Sequence, residues 1–502
     1  VHKILVIRLS SLGDVILTLP VLHALRQAYP AAKIVLLVKE AFADAVANHP
    51  DGIEIMTLKR GESLKSLAAR VRAEAFDGVI DLHGNLRSRA VSLASGARRR
   101  VRYRKAALAR RLYVGFRVAG SSLRKHTLDR YMETLRRLDP RQPAFQRPAA
   151  PAGEKSKILV IQTAFLGDAV LTTPLLGALQ EKLPQAQVTV LCTPETEDVF
   201  RRHPGVQSVL VYNKRSSKGD RSTWKLASRL RRENFDLAIL PHRSFRSAMA
   251  AWLAGIPRRI GFSTSQGRFL LTDVVPFQWG VHDVDRNLRL LEALGVGTAE
   301  ARLEMHADPA AVAAMRSRLA AAGVPSDARI IGVHAGSVWA TKRWLPEGFA
   351  AVADRLLAEE RTAVIFVGGA KDRAATEALM TLMRQRPLNW VGETDLKQLV
   401  ATVSLCSAFL TNDSGPMHIA VACGVPTVAL FGPTTKELGF FPYGPGHTVI
   451  EKELPCRPCG LHGARACPLG HFQCMRLITP DEVYQAVKAA MTTTIPRKAA
   501  TR

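Results

Sequence analysis

The sequence predicts an α/β protein built on doubly wound parallel sheets and divided into three domains. Three observations predict it. Short apolar runs of strand length alternate with segments of helical period along most of the chain. The unit from Lys3 to Asp14 returns as the unit from Lys157 to Asp168, 154 positions further on, which is the mark of a duplicated domain. Residues 405–434 read as a buried strand, a turn of small residues, a helix and a second buried strand.

Size and composition fit this division. A chain of 502 residues is too long for one core, and its apolar content of 47% is ordinary for a globular protein. No segment reaches the roughly 18 uninterrupted apolar residues of a membrane span. The first apolar stretch contains Arg8 and Asp14 and reads as a strand and turn, not a signal peptide, so the expected location is the cytoplasm. Net charge is +27, from 70 basic and 43 acidic residues, which favours an anionic partner. Basic clusters stand at 98–100, 102–111 and 229–232. Each reads most simply as a solvated helix face or loop. With no nucleic-acid motif beside them, an anionic inner-membrane surface is the expected partner and nucleic acid is not.

The repeat extends well beyond its opening unit. Leu19-Pro20 answers Thr173-Pro174, residues 33–38 answer 187–192, and His49-Pro50 answers His203-Pro204. Further on, Phe76-Asp77, His83 and Arg87-Ser88 match Phe235-Asp236, His242 and Arg246-Ser247 at an offset of 159, so an insertion falls near 214–221. The motif at 126–130 answers that at 282–286. Residues 141–154 are rich in Pro and Ala and read as a linker. A third unit without a copy follows a boundary near 308–327. It has a strand at 330–334, a turn at Ala335-Gly336-Ser337, a helix at 346–361, a strand at 363–367 and a turn at Gly368-Gly369. The expected domains are 1–140, 155–320 and 321–490.

In the third unit Asp413-Ser414-Gly415-Pro416 opens a helix directly after a strand. Asp or Ser suits the cap, Gly allows close approach to the backbone, and Pro is tolerated in the first turn. A helix N-terminus so placed is an anion site, and His418 in its first turn adds a side-chain contact. Residues 411–434 closely resemble the donor-binding segment of glycosyltransferase family 9, the ADP-heptose:lipopolysaccharide heptosyltransferases. Other parts of the chain agree with the resemblance: Leu166-Gly167-Asp168, His334-Ala335-Gly336-Ser337 with Lys342-Arg343-Trp344, and Val367-Gly368-Gly369 with Asp372. Together they cover residues 155 to about 490. The resemblance implies a GT-B-like architecture, two Rossmann-like domains across a cleft. Residues 1–140 resemble only the family's N-terminal domain, a departure from the usual two-domain form.

The resemblance also implies roles. Inverting transfer to a sugar hydroxyl is a single displacement at an anomeric carbon, and it needs a base and a stabilised leaving group. Asp168 is where the family places the base, on the acceptor side with Gly167 and His242; alternatively Asp168 caps a helix at 169–179. Lys342 resembles the phosphate-contacting lysine, against the plain alternative of a surface lysine. Ser337, Ser414, Gly415 and His418 complete the donor cradle. Asp413 faces the donor sugar or orders the turn. Asp372 binds ribose hydroxyls or caps a helix. No catalytic metal or cofactor is required.

Seven cysteines divide in two. Cys192, Cys406 and Cys423 sit in apolar segments as core residues. Cys456, Cys459, Cys467 and Cys474 crowd into one segment and suit either a structural zinc or iron tetrathiolate, with His462 or His471 as substitutes, or reduced thiols; the cytosol disfavours disulfides. The resemblance adds that many family members carry a similar tail, and that some relatives acting on autotransporter proteins look like iron binders there.

The reading is therefore a cytoplasmic, membrane-peripheral inverting glycosyltransferase that moves heptose from ADP-heptose to the lipopolysaccharide inner core. The alternatives are a heptosyltransferase acting on a protein or other acceptor, and a non-catalytic scaffold. The extra N-terminal copy reads as a docking or oligomerisation module, a second acceptor-side surface, or a remnant.

Overall fold

A computed structural model describes residues 2–10, 14–15, 18–43, 46, 52–103, 131, 134–135, 137–138, 155–213, 223–296, 303–493 and 495. Gly13, His49-Pro50, the motif at 126–130, the linker 141–154, the insertion at 214–221 and most of the basic cluster 102–111 lie outside them. The chain divides into two compact units, Val1–Pro148 and Ala149–Arg502.

In the first unit β1 (Lys3–Ile7), β2 (Lys33–Lys39), β3 (Glu54–Leu58), β4 (Gly78–Asp81) and β5 (Arg99–Arg102) form a parallel sheet in the order β3-β2-β1-β4-β5. Ile4, Leu5, Val6 and Ile7 of the central strand are fully buried, as expected for a parallel strand covered on both faces. Each such side chain contributes roughly 1.5–3 kcal/mol on leaving water.

The second unit holds two six-stranded parallel sheets. The first has β6 (Lys157–Ile161), β7 (Gln187–Cys192), β8 (Ser208–Val211), β9 (Leu237–Leu240), β10 (Arg258–Phe262) and β11 (Asp273–Val275), in the order β11-β10-β9-β6-β7-β8. Read from β8, this is the order of the β1–β5 sheet with β11 added at the edge. Local fastenings recur as well. Asp77 accepts the N–H groups of His2 and Lys3 at 2.7 and 2.9 Å, and Asp236 accepts that of Lys157 at 2.8 Å.

The helix expected at 169–179 is instead two helices, Leu166–Val170 and Thr173–Lys182. Pro174 has no N–H to give to the carbonyl of Val170, so the first helix cannot run on into the second. Thr172 fills the break by donating its hydroxyl to the Asp168 carbonyl at 2.8 Å. The result is that Asp168 stands inside a short helix at the crest of the sheet.

The other sheet has β12 (Arg329–His334), β13 (Thr362–Phe366), β14 (Leu388–Asn389), β15 (Ala408–Asn412), β16 (Thr427–Phe431) and β17 (Thr448–Glu451), in the order β14-β13-β12-β15-β16-β17. Its winding reverses between β12 and β15, so the loops leaving these strands diverge and open a crevice at their carboxyl ends. The helix Pro309–Ala321 packs on the helix Leu396–Ser404, and Met315, Leu319 and Val400 belong to a core that continues under the β6–β11 sheet through Leu175 and Leu290. Among the described residues no helix is long and apolar enough to cross a membrane.

Candidate active site

The site begins where β12 ends. Residues 335–344 form a loop that Asn412, at the end of neighbouring β15, holds in place. Its amide donates to the carbonyls of Ala335 and Gly336 at 2.8 and 3.3 Å, and its side-chain oxygen accepts the Trp344 N–H at 3.0 Å. Arg343 donates twice to the Ser337 carbonyl, at 2.9 and 2.7 Å. Trp344 anchors the far end through its indole N–H to the Ile478 carbonyl at 3.2 Å. Between these anchors Lys342 reaches Asp413 Oδ2 at 2.5 Å. The same oxygen accepts the Thr434 hydroxyl at 2.6 Å, so Asp413 ties together the turns after β12, β15 and β16.

Ser414 caps the helix Gly415–Ala422 with no side-chain bond to its N–H groups. Pro416 has no N–H and Met417 donates its own to the Ser414 carbonyl at 3.2 Å, so the Gly415 amide is the first-turn donor facing the cleft, with the positive end of the helix behind it. His418 is 4% exposed and its Nδ1 has no hydrogen-bond partner. Burial, working against the attraction of Asp413, pushes its pKa down to about 3, so the ring is neutral. Asp372 does not line the cleft. Its carboxylate accepts the Gly369 N–H at 3.0 Å, a capping contact, and lies 3.6 Å from His334 Nε2.

The opposite wall comes from the β6–β11 sheet. Asp168 Oδ2 accepts the Phe165 N–H at 3.2 Å, so the carboxylate does cap locally while it lines the cleft. Gln162 braces the turn from below, donating to Thr172 at 2.8 Å and to the Asp168 carbonyl at 3.3 Å. Gly167 lies against the other wall. A Cβ there would stand 2.9 Å from His418 Cδ2, so a glycine is what lets the two walls meet.

One cleft brings together Gly167, Asp168, Ser337, Lys342, Asp413, Ser414, Gly415 and His418. The sequence reading assigned no role to Trp339, Thr434, Thr435, Phe440 or Leu461, and considered His462 only as a metal ligand; all of them also line the cleft. Thr434 was within reach of sequence reasoning, because it follows the strand–Gly-Pro turn beside the donor helix. His242 is elsewhere. It lines a second cavity of the β6–β11 sheet with Arg246 and Gln266, its Nδ1 3.2 Å from the Thr163 hydroxyl.

The cysteine-rich segment forms part of the cleft wall. Ala464 and Thr341 exchange hydrogen bonds, the Cys459 N–H donates to Pro433 at 2.9 Å, and the Trp339 and His462 rings stack at 6.3 Å. None of the seven cysteines is in a disulfide. Burial pushes Cys474 up to about 11, whereas backbone N–H groups, that of Phe472 foremost, lower Cys467. Among the described residues no three His, Cys, Asp or Glu side chains are grouped to hold a metal ion.

A carboxylate facing a helix N-terminus and a lysine across a cleft suits group transfer from a phosphorylated donor. Residues 223–468 match the profile of glycosyltransferase family 9 (heptosyltransferase). The chain is 30% identical to lipopolysaccharide heptosyltransferase 2 of Escherichia coli K12, over 67% of this chain and 98% of that one. Its fold is similar to a glycosyl transferase family 9 structure from Veillonella parvula (TM-score 0.60, 26% identity, 67% and 97% of the two chains). It is likewise similar to the E. coli ADP-heptose lps heptosyltransferase II (TM-score 0.56, 27% identity, 67% and 98%). This protein is a glycosyltransferase. It belongs to glycosyltransferase family 9, the heptosyltransferases.

Proposed function

We propose that the protein transfers heptose from ADP-heptose to the inner core of lipopolysaccharide, with inversion. The observation that carries this reading is the convergence of Asp168 with Lys342, Ser414 and Gly415 on one cleft. In the proposed step Asp168 takes the proton of the acceptor hydroxyl as its oxygen bonds to the anomeric carbon and the bond to the ADP oxygen breaks. The electron pair leaves with ADP, whose added charge meets Lys342 and the helix N-terminus. The named substrates of the E. coli relatives support the choice of donor and acceptor. A calorimetric titration with ADP, UDP and GDP tests the donor half. Selective ADP binding, weakened in Lys342→Ala, is expected; no binding to any of the three would refute the assignment.

The first unit is proposed to be a second copy of the acceptor-side domain that serves in docking and not in catalysis. The shared strand order and the recurring Asp77 and Asp236 fastenings support the duplication. Its catalytic retirement is supported by one substitution between the copies. Where the second copy has Gln162 below Asp168, the first has Arg8, which is buried and forms an ion pair with Asp14. A carboxylate so paired is a poor base. The exposed Arg99, Arg100 and Arg102 of β5 and the net charge of +27 support docking on an anionic inner-membrane surface from the cytoplasmic side. Deleting residues 1–150 should weaken binding to anionic liposomes; unchanged binding would remove this role. The structural metal at Cys456, Cys459, Cys467 and Cys474 stays a proposal that metal analysis of the purified protein tests.

A further inference from the structure

From Ser414 of the donor cradle a chain of polar side chains runs back to His334 and Asp372, which the proposed transfer step does not use. His334, 4% exposed at the end of β12, has Asp372 on one side, with Oδ2 3.6 Å from Nε2. On its other side Nδ1 lies 3.0 Å from the Ser414 hydroxyl and 3.5 Å from that of Thr411. The space for the contact with Asp372 depends on Gly336. A Cβ at that position would stand 2.3 Å from Asp372 Oδ1 and 3.0 Å from His334 Nε2. Burial favours the neutral acid at Asp372, but the contacts with His334 and the Gly369 N–H outweigh it and lower the pKa, so the carboxylate is charged. The other charged groups nearby are Arg343, whose field reaches Asp372, and the Lys342–Asp413 pair beyond Ser414.

Proton accounting along this chain gives it a consequence. The carboxylate 3.6 Å from Nε2 favours the ring proton on that nitrogen, the tautomer in which Nδ1 is an acceptor. The Thr411 hydroxyl donates to the Asn412 carbonyl at 2.9 Å, so of the two hydroxyls facing Nδ1 it is Ser414 that has an O–H to give, with Thr411 Oγ1 at 3.2 Å as a second acceptor. Ser414 also lines the cleft, where a diphosphate oxygen would compete for that one proton. The competition ends if Nδ1 acquires a proton from solvent. The imidazolium then donates to Ser414 Oγ, the Ser414 O–H turns to the phosphate, and the new positive charge lies between Asp372 and the bound anion.

We infer that His334 is a positioning residue that takes up a proton when the diphosphate of the donor binds, through the Asp372–His334–Ser414 chain. This rests on the donor-site reading above and adds to it a proton linked to binding. The test is titration calorimetry of the whole protein with ADP at pH 7.5, in two buffers of different ionisation enthalpy. It compares wild type with His334→Gln, whose difference cancels protons exchanged by ADP itself. The expected result is uptake of a measurable fraction of a proton per ADP in wild type, absent in the variant, with ADP still bound. A merely structural role would weaken binding without changing the proton count. Should His334→Gln not fold, Asp372→Asn carries the same test. ADP binding with equal proton counts in wild type and variant would overturn the inference and leave the donor site standing. No ADP binding by wild type would overturn both.

Discussion

Lys342 Nζ and Asp413 Oδ2 lie 2.5 Å apart in the cleft wall, with side chains 12% and 6% exposed. Their pairing answers two needs at once. It holds the loop 335–344 against the turn after β15, and it keeps a lysine charge beside the helix that would receive the donor phosphates. Breaking a buried ion pair from one side leaves a desolvated charge and costs about 3–5 kcal/mol. Lys342→Ala should therefore lower the melting temperature as well as ADP affinity. Adding Asp413→Asn to it should restore part of the stability and none of the ADP binding. Recovery of both together would mean that Lys342 acts only through the fold.

Gly167 is the contact point between the two walls, since a Cβ there meets His418 Cδ2 at 2.9 Å. Gly167→Ala should cut kcat/KM by roughly tenfold, about 1.4 kcal/mol, while the protein stays folded. In a His418→Ala background the same substitution should cost much less. Steady-state kinetics on the four proteins of this cycle measure the coupling. Additive losses would show that the two residues do not meet in solution.

Asp283, on the helix Asp283–Leu288, has its carboxyl pushed up to about 6, first by burial and then by the charge of Asp168, against the pull of Arg286 and Arg243. The ordinary value is 3.8. Between these values the folded chain holds a proton that the unfolded chain has released. The stabilising contribution is therefore complete below about pH 4 and lost as pH rises through 6. Relative to wild type, Asp283→Asn should gain up to about 3 kcal/mol between pH 4 and pH 7. Urea unfolding midpoints at the two pH values check it, and a difference independent of pH would contradict it.

The parts of the site that could be read from the sequence are those whose chemistry lies in consecutive residues. The turn at 411–418 combines a strand end, a small-residue turn and a helix start, and those local constraints place Ser414 and Gly415 wherever the rest of the chain goes. The Gly-Asp turn at 167–168 is legible for the same reason. The helix expected at 169–179 missed the effect of Pro174 on the preceding carbonyl. Other positions depend on which loops the sheet brings together. His242 follows β9 into a crevice of its own, and Asp372 is drawn behind Gly336 by His334. The cysteine-rich segment shows the same limit. Its contact with residues 339–342 depends on the tertiary fold, which brings chain over 120 residues apart into one wall.

The most direct test is transfer itself: incubation of the protein with ADP-heptose and a heptose-deficient lipopolysaccharide acceptor, read by mass spectrometry of the product. Wild type should add one heptose, and Asp168→Ala should lose at least two orders of magnitude in kcat while ADP binding is retained. Transfer by Asp168→Ala at the wild-type rate, or no transfer by a wild-type protein that binds ADP-heptose, would contradict the assignment.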